Sequence, residues 1–362
     1  MKISAAVCRD TGQPLTIEVL DLDDPRPNEV LVRVVACGVC HTDIGIQRLV
    51  PKPIVLGHEG SGIVERVGSA VTKVKVGDRV VLTFGSCGVC ASCVEGEPAY
   101  CHDMRRLQFS GARADGSPTM RQGASPVHGA FFQQSAFATY ALATERNVVP
   151  VGSDVPLELL GPLGCGVQTG AGAVINALAV RTGASLAVFG VGSVGLSAVM
   201  AARIVGATTI IAVDVNPVRL ETARSLGATH AIDARSGDVT ARIQEITAGG
   251  ANFSLEASGV ETSFNAAVEC LAIRGTCGFV TAPRQGQAFP FSLAPILLRG
   301  RRLMGILEGS SVPDRFIPRL IELYRQGRFP MDRLATYYPF ADINRAMDDS
   351  HYGRAIKPIL RM

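Results

Sequence analysis

Two short clusters, Cys40-His41-Thr42-Asp43 and Gly57-His58-Glu59-Gly60, place a thiol, an imidazole and a carboxylate within twenty residues. These are the ligand types a borderline-soft ion such as Zn²⁺ prefers. A catalytic zinc takes about three protein ligands and keeps one position open. The third candidate is distant, Cys165 in Gly164-Cys165-Gly166. Taken singly, Cys40 and Cys165 read more readily as small buried hydrophobes, and His58 as a hydrogen-bonded core histidine. The rest of the chain decides between the readings.

A second set is self-sufficient. Cys87, Cys90 and Cys93, followed by Cys101, supply four thiols in a loop rich in glycine and small residues. Four thiolates complete a tetrahedral zinc and leave no open position, which predicts a structural ion stapling the lobe 87–101. An iron–sulfur cluster also uses four cysteines, but its usual spacings differ.

The third pattern is Gly190-Val191-Gly192-Ser193-Val194-Gly195, directly after the apolar run Leu186-Ala187-Val188-Phe189 and before a helical stretch to about Val205. A strand, Thr209 to Val213, then ends in Asp214, about 24 residues on. Glycines there permit a tight turn, so that a dinucleotide pyrophosphate sits on the helix N-terminus. Asp214 would accept hydrogen bonds from the adenosine ribose and repel a 2′-phosphate, favouring NAD. Arg219 pulls the other way, because an arginine can accommodate that phosphate.

The elements that must position these groups follow from composition and periodicity. At 362 residues, 47% hydrophobic and 19% charged, the chain predicts two well-packed domains rather than disorder. A net charge of +3 with only short basic clusters argues against a nucleic-acid surface, and so against reading the four cysteines as a zinc ribbon. The N-terminus lacks a signal-peptide pattern, and the glycine-broken stretch from Thr182 to Ala202 reads as strand, turn and helix rather than a membrane span. A cytoplasmic protein with no membrane partner is expected, its ten clustered cysteines pointing to metal in a reducing compartment. Alternation at Leu15, Ile17 and Val19, the run from Val30 to Val35, and glycine-punctuated segments near 62–67 and 78–82 predict a β-rich first domain. Residues 102–129 read as a long loop, 131–140 as strand-like and 167–178 as a helix. Beyond 185, alternating helices (218–226, 239–246) and strands (231–232, 253–256, 278–280) predict a doubly wound parallel sheet. A helix from Phe316 to Gln326 and the segment from Lys357 to Leu360 return to the first domain.

In this order, Cys-His-Thr-Asp, Gly-His-Glu, four cysteines, Gly-Cys-Gly, the glycine turn and Asp resemble the zinc-containing medium-chain alcohol dehydrogenases over essentially the whole chain. Residues 160–170 and 356–362 are similar to bacterial aryl-alcohol (benzyl alcohol) dehydrogenases and their relatives acting on allylic terpene alcohols such as geraniol. The resemblance implies an α/β protein, a Rossmann sheet inserted in a β-rich, GroES-like catalytic domain, with boundaries 1–166, 167–306 and 307–362. It implies two zinc ions per chain and NAD. Cys40, His58 and Cys165 would hold the catalytic ion, with Glu59 behind it and Asp43 orienting His58. Thr42 would accept the alcohol proton. Many relatives continue the relay with a histidine five positions after the cysteine, where this chain has Gly45. His41 is the substitute, or else a cofactor-phosphate contact. Thr169 and Val194 would lie against the nicotinamide in an interdomain cleft, with Lys357 also assigned to the cofactor. Phe84, Phe131 and Phe132 would wall the alcohol/aldehyde site. The expected assembly is a homodimer or homotetramer. Alternatives are a glutathione-dependent formaldehyde or a polyol dehydrogenase, or a dinucleotide-binding protein without chemistry. Segment 44–49 offers little polar anchoring for a polyol, and the intact ligand set speaks against the last.

Overall fold

The computed structural model describes residues 1–281, 288–290 and 292–362, which divide into two compact units. The first comprises Met1–Gly166, Val312–Glu322 and Asp332–Met362; the second comprises Val167–Ser311 and Leu323–Met331. Among the described residues no helix is long and apolar enough to cross a membrane.

The first unit is built on the strand Glu29–Gly38. Its β-branched run is buried on both faces, as expected of a strand with neighbours on every side. It pairs antiparallel with Gly60–Val67, with Tyr140–Thr144 and, at its far end, with Lys357–Arg361. The last pairing places Ile359 opposite Gly38 and so carries the C-terminal Lys357 beside the residues that follow Gly38. A second sheet runs in the order Ile54–Val55, Lys2–Cys8, Thr16–Leu22, Met120–Gln122, Ser125–Val127. Between the sheets lies one apolar core that includes Leu20, Val32, Leu56, Leu82 and Phe137.

Two stretches of this unit differ from the sequence expectation. Residues 102–129 are not a plain loop: they hold the helix Met104–Phe109 and a β-hairpin, Met120–Gln122 with Ser125–Val127. Residues 131–139 are not a strand. Phe131–Gln133 forms a 3₁₀ turn, and Phe132, Gln133 and Ser135 all adopt positive φ, of 51°, 56° and 48°. Period-two alternation of apolar residues cannot separate a strand from a tight turn that buries the same residues.

The second unit is a parallel six-stranded sheet in the order His230–Asp233, Thr209–Asp214, Ser185–Phe189, Ala251–Glu256, Leu271–Phe279, Arg302–Gly305. In chain order this is 3-2-1-4-5-6, the doubly wound dinucleotide-binding arrangement. Its first strand ends at Phe189, beside the fourth, where the strand order reverses. The helix expected over 167–178 ends differently: after Gly166–Gly172 the turn widens to a π-helix, Ala173–Ala177. The edge strand Arg302–Gly305 has no counterpart in the sequence reading.

Candidate active site

Cys40 stands at the N-terminus of the short helix His41–Gly45. Asp43, in the first turn of that helix, is fully buried. Its Oδ2 accepts the backbone N–H of Cys40 at 3.0 Å, and its Oδ1 accepts the N–H of Gly57 at 3.0 Å. Oδ1 also lies 2.9 Å from Nδ1 of His58. A carboxylate can only accept, so Nδ1 carries the ring proton and Nε2 carries the lone pair. That Nε2 is buried and has no hydrogen-bond partner among the described residues.

The metal reading of His58 meets its test there. The ligand atoms of Cys40, His58, Glu59 and Cys165 lie within 4.8 Å of one another. Contact with Cys165, then with His58, draws the Cys40 thiol well below its ordinary pKa despite burial. Burial opposes a charge on His58, yet the Asp43 carboxylate and Cys40 raise its pKa well above the usual value. The two shifts belong to one pair, in which a thiolate and a charged imidazole stabilise one another. A tetrahedral cation with sulfur and nitrogen ligands fits that donor set and satisfies the orphaned nitrogen.

Glu59 is fully buried behind this cluster. Its Oε1 accepts the N–H of Gly166 at 3.0 Å, and its two oxygens accept from Lys357 Nζ at 2.9 and 2.8 Å. The third Lys357 proton goes to the Val39 carbonyl at 3.2 Å. Lys357, expected on the cofactor, is therefore placed in the first unit with three acceptors for its three protons. Gly38 has no room for a side chain, since a Cβ there would lie 2.1 Å from Glu59 Oε2.

The four thiols of the lobe also converge, within 4.8 Å of one another. Their sulfurs collect backbone N–H groups: Cys87 from Val89 and Cys90 at 3.5 and 3.3 Å, Cys90 from His102 at 3.4 Å, and Cys101 from Cys87 at 3.2 Å. Such donors stabilise thiolate and pull Cys90 down to about 6, while burial pushes Cys101 up to about 12. All four are free thiols, and the set suits a closed tetrahedral ion.

Thr42 is half-buried and His41 exposed. Gly45 is exposed, with nothing within 4 Å of where a Cβ would be. The ring of Phe132 stacks on His58 at 4.5 Å, and Phe131 meets it edge-on at 5.6 Å. Phe109, from the helix Met104–Phe109, packs edge-on against Phe132 at 5.5 Å. Phe84 is buried, but among the described residues no ring contact joins it to this group. Nothing in the sequence singled out Phe109, because its helix falls in a stretch without apolar period.

In the second unit Gly190 has φ +82°, and a Cβ at Gly195 would lie 2.1 Å from the Gly190 carbonyl oxygen, which is the close strand-to-helix approach such turns need. Gly192 caps the helix Ser193–Ile204 and faces open space, with only Arg219 Nη1, at 4.0 Å, near its missing Cβ. Ser193 Oγ and Arg219 Nε are buried there without partners among the described residues, which suits a phosphate-bearing ligand. Asp214 ends the second strand of the sheet. It accepts Val191 N–H at 2.8 Å and Asn216 N–H at 2.9 Å, with Arg219 Nη1 4.0 Å away. The helix Gly166–Gly172 packs on the turn at Gly170, the residue after Thr169, where a Cβ would lie 1.9 Å from the Val194 carbonyl oxygen.

A β-rich unit with two convergent sulfur sites, joined in one chain to a doubly wound sheet with a phosphate turn, defines a zinc-dependent, dinucleotide-dependent dehydrogenase. Residues 26–153 match the alcohol dehydrogenase GroES-like domain, and residues 193–326 match the zinc-binding dehydrogenase domain. The chain belongs to the zinc-binding alcohol dehydrogenase family. It is 48% identical over 360 residues to a geraniol dehydrogenase of Castellaniella defragrans, covering 98% of this chain and 96% of that protein. The crystal structure of benzyl alcohol dehydrogenase from Acinetobacter calcoaceticus superposes with a TM-score of 0.97 at 48% identity, covering 100% of this chain and 99% of that one. An alcohol dehydrogenase zinc-binding domain protein from Burkholderia ambifaria gives 0.98 at 54% identity, with the same coverage.

Proposed function

We propose that the chain reversibly oxidises primary aryl or allylic alcohols to aldehydes with NAD, through a catalytic zinc on Cys40, His58 and Cys165, and carries a structural zinc on Cys87, Cys90, Cys93 and Cys101. The observation that carries this reading is the buried, partnerless Nε2 of His58 set among two thiols. When bound, zinc supplies the Lewis acidity that lowers the pKa of the alcohol hydroxyl, and NAD supplies the hydride acceptor. The chain's own residues prepare and finish the step. Asp43 keeps the proton on Nδ1 of His58, so that Nε2 stays a donor of its lone pair. Thr42 takes the alcohol proton, and His41, exposed one residue earlier, hands it to solvent in place of the histidine that Gly45 lacks. Phe131, Phe132 and Phe109 form an apolar wall beside His58 that excludes water and suits an aryl or prenyl group. The substrate names of the two named relatives favour the same class.

Asp214 selects NAD, because a 2′-phosphate there would meet a carboxylate. The reading also includes a reducing cytoplasm, in keeping with ten free thiols, and a homodimer or homotetramer, in keeping with exposed Leu293, Leu297 and Leu298. Initial rates on benzyl alcohol, geraniol, sorbitol and S-hydroxymethylglutathione, with NAD and NADP, test the proposal alongside zinc content per chain. Turnover of the first two with NAD at two zincs per chain is expected. Activity confined to the last two overturns it.

A further inference from the structure

Outside the ligands, one buried side chain is tied to the metal cluster more densely than any catalytic role assigned above requires. Gln134 is fully buried. Its Nε2 donates to the His58 carbonyl at 2.9 Å and to the Thr83 carbonyl at 3.1 Å, and its Oε1 accepts the Gly60 N–H at 3.1 Å. Two carbonyls on one side and an N–H on the other admit a single orientation of the amide. Gln134 thereby grips the chain on both sides of Glu59, at the carbonyl of His58 itself and at the N–H of Gly60. Its other hold, Thr83, donates its hydroxyl to the Gly164 carbonyl at 2.8 Å, the peptide group that leads into Cys165. Thr83 is fixed in turn by Asn147, through its N–H to the Asn147 carbonyl at 2.9 Å and Asn147 Nδ2 to its own carbonyl at 3.2 Å. A continuous path therefore runs from the backbone of His58 through Gln134 and Thr83 to the backbone of Cys165, two ligands 107 residues apart in sequence.

The backbone bearing Gln134 is bent to make this reach. Phe132, Gln133 and Ser135 hold left-handed φ, a conformation residues with side chains rarely adopt and which clusters at sites under functional constraint. Ser135 stabilises the turn, its hydroxyl accepting Phe131 N–H at 2.8 Å and donating to the Val55 carbonyl at 2.6 Å. The same turn lays the Phe132 ring on His58. We propose that Gln134 is a positioning residue of the metal centre, and that with Thr83 it sets the separation of His58 and Cys165 on which retention of the catalytic ion depends. The proposal rests on Cys40, His58 and Cys165 being the ligands.

The test uses the zinc-loaded enzyme and measures release of each zinc to a colorimetric chelator. Wild type should show two zincs per chain, and Cys40→Ser one fewer. Gln134→Met keeps the length and volume but none of the three hydrogen bonds. It should lose the catalytic ion about 10–100-fold faster, the range for loss of a group that orients a metal ligand, while the four-cysteine ion leaves at the wild-type rate. The visible spectrum of the cobalt-substituted variant should shift. Thr83→Val should act likewise and Thr83→Ser, which retains the hydroxyl, should restore retention; that pair carries the test if Gln134→Met does not fold. Wild-type release rates and an unmoved cobalt spectrum, with only a lower melting temperature, overturn the proposal as a plain packing role. A wild type in which Cys40→Ser removes no zinc overturns the ligand assignment instead, and this inference with it.

Discussion

The buried pair of Lys357 and Glu59 gives a prediction whose size follows from its geometry. Both side chains are excluded from solvent, and among the described residues the carboxylate has one further donor, the Gly166 N–H. Lys357→Met removes the cation and leaves a buried carboxylate on one amide, a situation that costs about 3–5 kcal/mol. At about 2–4 °C per kcal/mol for a domain of this size, the melting temperature should fall by about 10 °C. Glu59→Gln should cost a similar amount by stranding the ammonium. The double variant removes both charges and should be milder than the sum, with a coupling of about 1–3 kcal/mol. The pH dependence has a definite sign. Burial raises the Glu59 pKa above its ordinary 4.5, and Lys357 holds it down. Without Lys357 the folded-state pKa rises further, so the folded protein binds the proton more tightly than the unfolded chain does. Stability is then fully present below about pH 4.5 and is lost as pH rises through the folded pKa. The deficit of Lys357→Met against wild type should therefore be larger at pH 8 than at pH 5. Thermal melts of the four proteins at both values decide it, and additive losses or a deficit independent of pH refute the account of the pair.

Three further outcomes are expected. Cys40→Ser should abolish turnover and remove one zinc per chain while NAD still binds, as nucleotide-fluorescence titration and metal analysis would report; undiminished turnover would take Cys40 out of the site. Asp214→Gly should relax the preference for NAD toward NADP, read as the ratio of kcat/KM values, and because it also frees the N–H groups of Val191 and Asn216 it should lower stability by about 1–3 kcal/mol. An unchanged cofactor ratio would show the ribose contact to be misplaced. Gly45→His meets no steric obstacle and should quicken proton release, raising the alcohol-oxidation rate on the acid side of the pH profile, whereas His41→Gln should depress it. If neither moves the profile, His41 has no part in proton transfer.

The parts of the molecule that were legible in the sequence are those in which chemistry and local spacing coincide. The four-cysteine run and the glycine turn with Asp214 are written within a few dozen residues each, and hydrophobic period separates the strands and helices of the parallel sheet. The helix Val239–Ile246 lies where its apolar spacing puts it. The metal cluster runs from residue 40 to residue 165, so Cys165 is a candidate by ligand type alone, with no local spacing to fix it until the resemblance is added. What stayed hidden is held by backbone groups. Gln134 and Thr83 act on carbonyls, which carry no residue signature. The turn at 131–135 buries its aromatic residues in the same alternating order a strand would use. Lys357 reads from the sequence as a cofactor contact, and its salt bridge to Glu59 emerges only once its strand pairs with the one ending at Gly38.

The missing Cβ at Gly38 bears on how this protein can diversify. Any methyl there would collide with the Glu59 carboxylate, so the floor of the cluster is a place where variation is closed at the cost of the ion pair. The ring wall differs along its length: Phe131 is fully buried and Phe132 lies in the left-handed turn that bears Gln134, whereas Phe109 is half-buried on the helix Met104–Phe109, outside that turn. If that wall borders the alcohol, changes of preference should accumulate at position 109, and a library randomised there should yield folded variants more often than one randomised at positions 38 and 57–60.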